Sequence, residues 1–218
     1  CDVYFYQIAE RLSADDLAKQ ARGAGLGVPT GIDLPHELSG NVPDVAWLNK
    51  RYGERKWTRG NLLNLVIGQG EYLVTPLQMA RYAATLGNGG KVLRPRIVQS
   101  IEDAEGNLTR FPPKVEQVWE MSPLTRSRLE EAHRLVVQDG EFGTARSCRI
   151  DGFEVAGKTG TAENSHGKPH SWFIAYGPAS DPEIALSVVM EGAGHGSDAA
   201  VPAAKKLLRA YLGKEGTT

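Results

Sequence analysis

Apolar residues recur at helical spacing in four parts of the chain, and each of these patterns predicts helical structure. The ranges are residues 1–26, which divide into two helices near Ser13, residues 75–88, residues 122–137 and residues 199–212. The start of the second range is the clearest, because Thr75 suits an N-cap and Pro76 suits the first helical position. In the last range we expect Leu207, Leu208 and Leu212 to lie on the inner face.

Short apolar runs between polar or Gly/Pro loops predict the strands. Residues 92–101 and 108–111 flank a turn at residues 103–106, which predicts a β-hairpin. Three more strands are predicted in the last third of the chain, at residues 153–162, 171–176 and 184–191. Residues 28–60 carry three prolines and little periodicity, and predict an irregular surface segment. The order of these elements predicts an α+β fold, with an antiparallel sheet flanked by helices.

Composition narrows the class of protein. A chain of 218 residues, 41% hydrophobic and 23% charged, is typical of a globular domain. Its 25 Lys and Arg face 26 Asp and Glu, and no dense basic run appears, so a nucleic-acid partner is not expected. Two cysteines without metal-ligand spacing indicate neither a disulfide framework nor a zinc site. Because Cys1 opens directly into a helical pattern, we expect this end to be cut, with any export signal or membrane anchor upstream.

The stretch Val-Ala-Gly-Lys-Thr-Gly-Thr-Ala at residues 155–162 carries the most chemical information. Glycine weakens a strand, and one reason to keep it there is the close approach of a ligand or another backbone. Alternation places Lys158 and Gly160 on one face, and Thr159 and Thr161 on the other unless the strand bends. A cation beside hydroxyls and open backbone N–H groups suits a carboxylate or a developing oxyanion. An exposed edge strand with an ordinary lysine is the alternative that the three letters Lys-Thr-Gly leave open.

Longer blocks around this stretch resemble the penicillin-binding proteins, in which Lys-Thr-Gly accompanies a Ser-x-x-Lys motif and a second, Ser-containing motif. The matching blocks are residues 143–164, His170-Ser171-Trp172-Phe173, Gly68-Gln69-Gly70 followed by the helix start at residues 75–80, and residues 191–196 followed by 199–204. They occur in family order and cover nearly the whole chain. The resemblance is closest to the class B, elongation-type enzymes called penicillin-binding protein 2.

The resemblance also indicates which motifs this chain lacks. Its start is similar to a Ser-x-Asp motif whose serine would precede Cys1, so that Asp2 takes the third position. An ionised Asp only accepts hydrogen bonds, whereas the Asn of many relatives can also donate. The Ser-x-x-Lys motif precedes this one in the family, so we expect no nucleophile within this chain. By letters alone residues 165–168 match Ser-x-x-Lys and residues 39–41 match Ser-x-Asn, but both lie in predicted loops.

Roles for several residues follow from the resemblance. Lys158 would support the catalytic Ser-Lys network and the substrate carboxylate electrostatically, and Thr159 and Thr161 would bind that carboxylate. The backbone N–H of Thr161 would supply one oxyanion donor, and Gly160 would let the substrate backbone run along the strand. Trp172 would either pack within the sheet or form a wall of the substrate cleft. His166 and His170 lie in a Gly/Pro loop, so we expect no metal site there.

The resemblance implies that residues 1–213 are the C-terminal part of a transpeptidase domain and that residues 214–218 are a tail. The complete domain would cross-link peptidoglycan stem peptides through a serine acyl-enzyme, be blocked by β-lactams and need no cofactor; this chain alone would be inactive. Membrane proteins of cell-wall elongation would be its partners. Its location would be the periplasmic or extracytoplasmic face of the inner membrane, through an anchor upstream of this chain. The alternatives are a β-lactam-binding hydrolase or sensor and a non-catalytic scaffold. The segment at residues 28–60 and the Gly-Gln-Gly block favour the transpeptidase.

Overall fold

The computed structural model describes residues 2–213, so Cys1 and the predicted tail at residues 214–218 lie outside it. The helices are α1 (Asp2–Ala9), α2 (Ala14–Gly23), α3 (Val45–Tyr52), α4 (Arg59–Val66), α5 (Pro76–Gly87), α6 (Pro123–Gln138) and α7 (Ala200–Leu212). The strands are β1 (Lys91–Arg94), β2 (Ser100–Glu102), β3 (Leu108–Arg110), β4 (Lys114–Val118), β5 (Ala156–Ala162), β6 (His170–Gly177) and β7 (Ile184–Met190). Every strand pair is antiparallel, which confirms the predicted α+β class. No helix within the described range is long and apolar enough to cross a membrane.

Side-chain caps explain why the helices predicted from the sequence begin where they do. Helix α2 starts with a capping box, in which Ser13 accepts from the backbone of Asp16 and the Asp16 carboxylate accepts from Ser13. Helix α5 has the same arrangement between Thr75 and Gln78, with Pro76 in the first turn. These local hydrogen bonds satisfy backbone groups that a helix end otherwise leaves unpaired. Such signals depend on a few adjacent residues, so the sequence alone reveals them.

The prediction of an irregular segment over residues 28–60 is wrong in its second half. Helix α3 begins after Asp44, whose carboxylate accepts from the backbone N–H of Trp47, and helix α4 begins after Thr58. Each of these helices has eight residues, little more than two turns, so apolar periodicity has no length over which to stand out. Residues 28–44 do form an irregular segment, apart from one isolated bridge at Asn41.

The predicted first strand at residues 92–101 is divided into two. Strand β1 pairs with β4, a strand that the sequence interpretation missed, whereas β2 pairs with β3 across the predicted turn. Pro95 follows β1 directly and has no N–H to donate to a ladder, which ends the first pairing. The hairpin prediction is therefore correct for β2 and β3 only.

The sheet of β5, β6 and β7 is packed on both faces. On one face Phe173 and Ala175 of β6 pack against Val137 of α6 and against Val201 and Leu208 of α7. On the other face Ala156, Ile174 and Tyr176 pack against Ala83 and Leu86 of α5. A separate cluster, built from Ala9, Ala14, Leu48, Leu62 and Leu65, holds helices α1 to α4 together. The loop between α4 and α5 runs from this α1–α4 cluster to the edge of the sheet at β5.

In the closing helix α7, one of the three residues predicted to face the core is exposed instead. Leu208 and Leu212 are buried as expected, but 54% of Leu207 is exposed, so that part of the prediction is wrong. Because Val201 is fully buried, we expect Val201→Ala to lower the free energy of unfolding by about 2 kcal/mol, the value for two buried methyl groups with a small cavity. Leu207→Ala is the control and should stay within about 0.5 kcal/mol. Denaturant unfolding of both variants of the full-length protein tests this; equal losses would contradict the packing of α7.

Candidate active site

Strand β5 carries the Lys-Thr-Gly sequence at one edge of its sheet, as the strand order β5-β6-β7 of the described residues shows. Lys158 lies opposite Ile174 and Thr159 lies opposite Phe173. Paired residues of an antiparallel ladder share a face, so Lys158 shares the face that packs on α5. Thr159 lies with Phe173 on the face that packs on α6 and α7, as alternation predicts.

A cavity of about 470 Å³ lies between this strand and the loop that follows α4. Four predicted site residues of β5 and one of β6 line it together: Lys158, Thr159, Gly160, Thr161 and Trp172. The opposite wall includes the Gly-Gln-Gly block at residues 68–70. Asp2 does not line this cavity; it is the exposed first residue of α1. The structure therefore brings together all of the predicted site residues except Asp2.

The Lys158 side chain is exposed, yet its amine lies close enough to surrounding protein to be partly desolvated. Its Nζ donates to the carbonyl oxygen of Thr159 at 2.7 Å. Burial disfavours the charged form of an amine, and desolvation lowers the pKa of Lys158 below its ordinary value. A cation with a perturbed pKa in a cleft is a common feature of functional sites.

The two threonines of β5 each have a hydrogen-bond partner that fixes the hydroxyl. Thr159 Oγ1 lies 2.9 Å from Thr144 Oγ1, so the two side chains share one hydrogen bond. Thr161 Oγ1 accepts from the backbone N–H of Gly196 at 3.4 Å. Thr144 and Gly196 therefore belong to the surroundings of the site, although neither was among the residues to which the sequence assigned a role.

The loop at residues 192–198 is held against the sheet by a buried serine of β6. Ser171 is fully buried; its Oγ donates to the carbonyl of His195 at 2.8 Å and accepts from the backbone N–H of Ala200 at 3.0 Å. The contact is close at Gly196, where an added Cβ would lie 2.6 Å from the carbonyl oxygens of both Gly160 and Trp172. A serine at an inward strand position is the sequence signal for such a polar anchor, because buried hydroxyls need partners.

The Gly-Gln-Gly block contacts the far end of the same strand. Gln69 Oε1 accepts from the backbone N–H of Glu163, one residue after β5, at 3.3 Å. The adjacent Glu71 accepts from the Tyr52 hydroxyl at 2.5 Å and from the Asn61 amide at 3.0 Å. Burial by itself would raise the pKa of Glu71, but these hydrogen bonds outweigh it and hold the pKa below the ordinary value. The carboxylate therefore links α3 and α4 to the loop that lines the cavity.

Known proteins match this arrangement in sequence and in structure. The model of the family described as "Penicillin binding protein transpeptidase domain" matches residues 1–209. The chain belongs to this family. Peptidoglycan D,D-transpeptidase MrdA of Haemophilus influenzae is 34% identical, and the match covers 97% of this chain and 35% of that protein. The chain thus spans about a third of this relative.

Two solved structures place the chain on the penicillin-binding protein fold. Pseudomonas aeruginosa PBP2, in complex with WCK 5153, superposes with a TM-score of 0.83 at 31% identity, covering 97% of this chain and 45% of that one. Helicobacter pylori PBP2, in complex with MreC, superposes with a TM-score of 0.77, also at 31% identity, covering 97% of this chain and 38% of that one. The resemblance to penicillin-binding protein 2 expected from the sequence is confirmed.

The letter matches elsewhere in this penicillin-binding protein chain lie in non-helical segments. Residues 165–168 form turns and bends after β5, not the helical turn that a Ser-x-x-Lys pair requires. In the segment at residues 39–41, the Asn41 amide donates to the carbonyl of Glu71, which gives it a structural role.

Burial raises the pKa of the Cys148 thiol to about 11, so this group is not a reactive thiolate. Within residues 2–213 no cluster of His, Cys, Asp or Glu could hold a metal ion.

Proposed function

We propose that the full-length protein is a serine D,D-transpeptidase that cross-links peptidoglycan stem peptides and is acylated by β-lactams. The observation that carries this proposal is the cavity along one edge strand that Lys158, Thr159 and Thr161 line together. A cation and two hydroxyls suit the terminal carboxylate of a D-alanyl-D-alanine peptide or the carboxylate of a penicillin. The edge position suits a substrate that extends along β5 as an added strand.

Residues of β5 would then act on two groups of the substrate, its terminal carboxylate and its reacting carbonyl. Thr159 and Thr161 would donate their hydroxyls to the carboxylate, while Lys158 would attract it and stabilise the nearby Ser-Lys pair. The backbone N–H of Thr161 would donate to the developing oxyanion. Gly160 would leave room for the substrate backbone, and Trp172 of β6 would form a wall of the cleft. Asp2, at the start of α1, would stand at the third position of the Ser-x-Asp motif.

The chemistry would proceed in two balanced steps on a serine that lies outside these 218 residues. The serine oxygen forms an ester with the penultimate D-alanine as the bond to the terminal D-alanine breaks. The serine proton passes through the motif lysine to the leaving amine. The amine of a neighbouring stem peptide then attacks the ester, forms the cross-linking peptide bond and returns a proton to the serine.

The partner and the location of the protein are part of this proposal. The H. pylori relative was solved in complex with MreC, which supports a protein partner for this domain too. We propose that this partner is a membrane protein of cell-wall elongation. The substrate itself is outside the cytoplasm, so we place the domain on the periplasmic face of the inner membrane. The formal net charge of −1 gives no broad attraction to nucleic acid.

Intact mass of the full-length protein, before and after incubation with a labelled penicillin, tests the proposal. We expect a gain of one drug mass on a serine that precedes Cys1, and no gain on the 218-residue chain alone. The lifetime of the adduct separates the alternatives, because a hydrolase would release the drug within seconds to minutes whereas a transpeptidase would keep it. A full-length protein that forms no adduct would refute the proposed function and leave a non-catalytic scaffold.

A further inference from the structure

We propose that Thr144 is a positioning residue that sets the direction in which the Thr159 hydroxyl donates. This inference rests on the proposed function, because it concerns how the same site binds a carboxylate. Its basis is the 2.9 Å contact between the two hydroxyl oxygens, one on the turn after α6 and the other on β5. Among the described residues, Thr144 is the only hydrogen-bond partner of the Thr159 side chain.

The turn that carries Thr144 is held firmly on both sides. The backbone N–H of Ala145 donates to the carbonyl of Val136 at 2.9 Å, and Ala145 is fully buried. Gly143 packs so closely on the end of α6 that an added Cβ would lie 2.5 Å from the carbonyl oxygen of Asp139. Thr144 itself is exposed between these two anchors, with its side chain toward β5. A rigid turn can therefore hold the hydroxyl in place without a further contact.

Hydrogen-bond polarity gives the pair its function. Each hydroxyl has one hydrogen to donate, and a carboxylate can only accept. When a carboxylate binds to Thr159, the Thr159 hydroxyl must donate its hydrogen to the ligand. The hydrogen bond between the two threonines must then be donated by Thr144. A hydroxyl that already accepts a hydrogen bond donates more strongly, since neighbouring hydrogen bonds polarise one another. Thr144 thus prepares Thr159 as a donor before the substrate arrives.

The neighbouring threonine shows the same arrangement with a different partner. Thr161 Oγ1 accepts from the backbone N–H of Gly196, which leaves its own hydrogen free for the ligand. Each of the two threonine hydroxyls of β5 therefore has a partner that can donate a hydrogen bond to it. The donor is a backbone N–H for Thr161 and a side-chain hydroxyl for Thr159. Thr144 is the partner that a substitution can remove.

The test compares Thr144→Val with Thr144→Ser in the full-length protein. Valine keeps the shape of threonine but cannot donate, whereas serine keeps the hydroxyl. The probes are a penicillin with a free carboxylate and the methyl ester of the same penicillin. We expect Thr144→Val to slow acylation by the carboxylate form about tenfold, the upper end of the range for one hydrogen bond between neutral groups, and Thr144→Ser to restore most of the rate. Thr109→Val, on the exposed strand β3, is the matched control and should change neither rate.

The ratio of the two probes separates positioning from folding. An equal loss with the acid and with the ester would show a merely structural effect and overturn the inference. So would a Thr144→Val protein that acylates like the wild type, or a Thr144→Ser protein as slow as the valine variant. A wild-type protein that forms an adduct with neither probe would overturn the proposed function itself, and this inference with it.

Discussion

Replacing Lys158 by glutamine in the full-length protein is expected to slow acylation by a penicillin about 10²- to 10³-fold, the range for removal of one electrostatic contact to the developing charge. Glutamine is of similar length and keeps a donor but removes the positive charge. Lys158 lines the cavity beside Thr159 and Thr161, so we expect its charge to act on the carboxylate and on the reacting groups together. The loss should therefore appear in the acylation rate at saturating drug as well as in the apparent affinity.

Stopped-flow acylation of Lys158→Gln beside Lys168→Gln provides the comparison. Lys168 is exposed in the loop between β5 and β6, and its loss removes the same charge about ten residues away. We expect Lys168→Gln to acylate within about twofold of the wild type, because exposed charges are screened by solvent and salt. Similar losses in the two variants would mean that overall charge matters and that Lys158 has no special role.

The same lysine predicts a dependence on pH. Desolvation lowers the pKa of Lys158, so its amine loses its proton at a lower pH than an ordinary lysine does. In the proposed function, carboxylate binding uses the charged form, which is present below this lowered pKa and lost as the pH rises through it. The alkaline limb of the acylation profile in the wild type should therefore begin below pH 10.5, the ordinary value, and should be absent in Lys158→Gln. An unchanged alkaline limb in the variant would assign that limb to another group.

The sequence predicts those parts of the fold that depend on adjacent residues. The caps at Ser13 and Thr75 and the hairpin turn between β2 and β3 each involve only a few neighbouring residues. The two eight-residue helices α3 and α4 were not predicted, because two turns give too little periodicity. The prediction that Leu207 points inward is wrong, because α7 buries Leu208 in the core and leaves Leu207 exposed to solvent.

The candidate site could be predicted where chemistry is contained in one strand, and not where it depends on tertiary contacts. Lys158, Thr159 and Thr161 follow from the Lys-Thr-Gly sequence and from the family resemblance, and all three residues line one cavity. The partners of those threonines come from the turn after α6 and the loop after β7. No local sequence pattern predicts which distant residue a hydroxyl will contact. Thr144 and Gly196 therefore belong to sequence blocks that resemble the family, but the sequence assigns them no role.

Gly196→Ala is expected to slow acylation of the full-length protein about 10²-fold, the cost of displacing site groups by about 1 Å. The added Cβ would lie 2.6 Å from two carbonyl oxygens and 3.0 Å from the nitrogen of Gly160, all of them backbone atoms. Backbone cannot turn aside as a flexible side chain can, so the loop must move away from β5. That movement removes the donor to Thr161 Oγ1 and shifts the wall beside Gly160. Overpacking of this kind should also cost about 1–3 kcal/mol of stability.

Gly167→Ala is the matched control, because an added Cβ there would meet only the Asn164 side chain, at 3.7 Å. Both glycines lie in loops that follow strands of the same sheet, and neither adopts a positive φ, so the two substitutions differ mainly in available space. Acylation rates and melting temperatures measured for both variants separate a local displacement from general loop stiffening. Wild-type acylation by Gly196→Ala would show that the loop after β7 can move without disturbing β5. In that case the donor from Gly196 would have no part in orienting Thr161, and the carboxylate would depend on Thr159 and Lys158 alone.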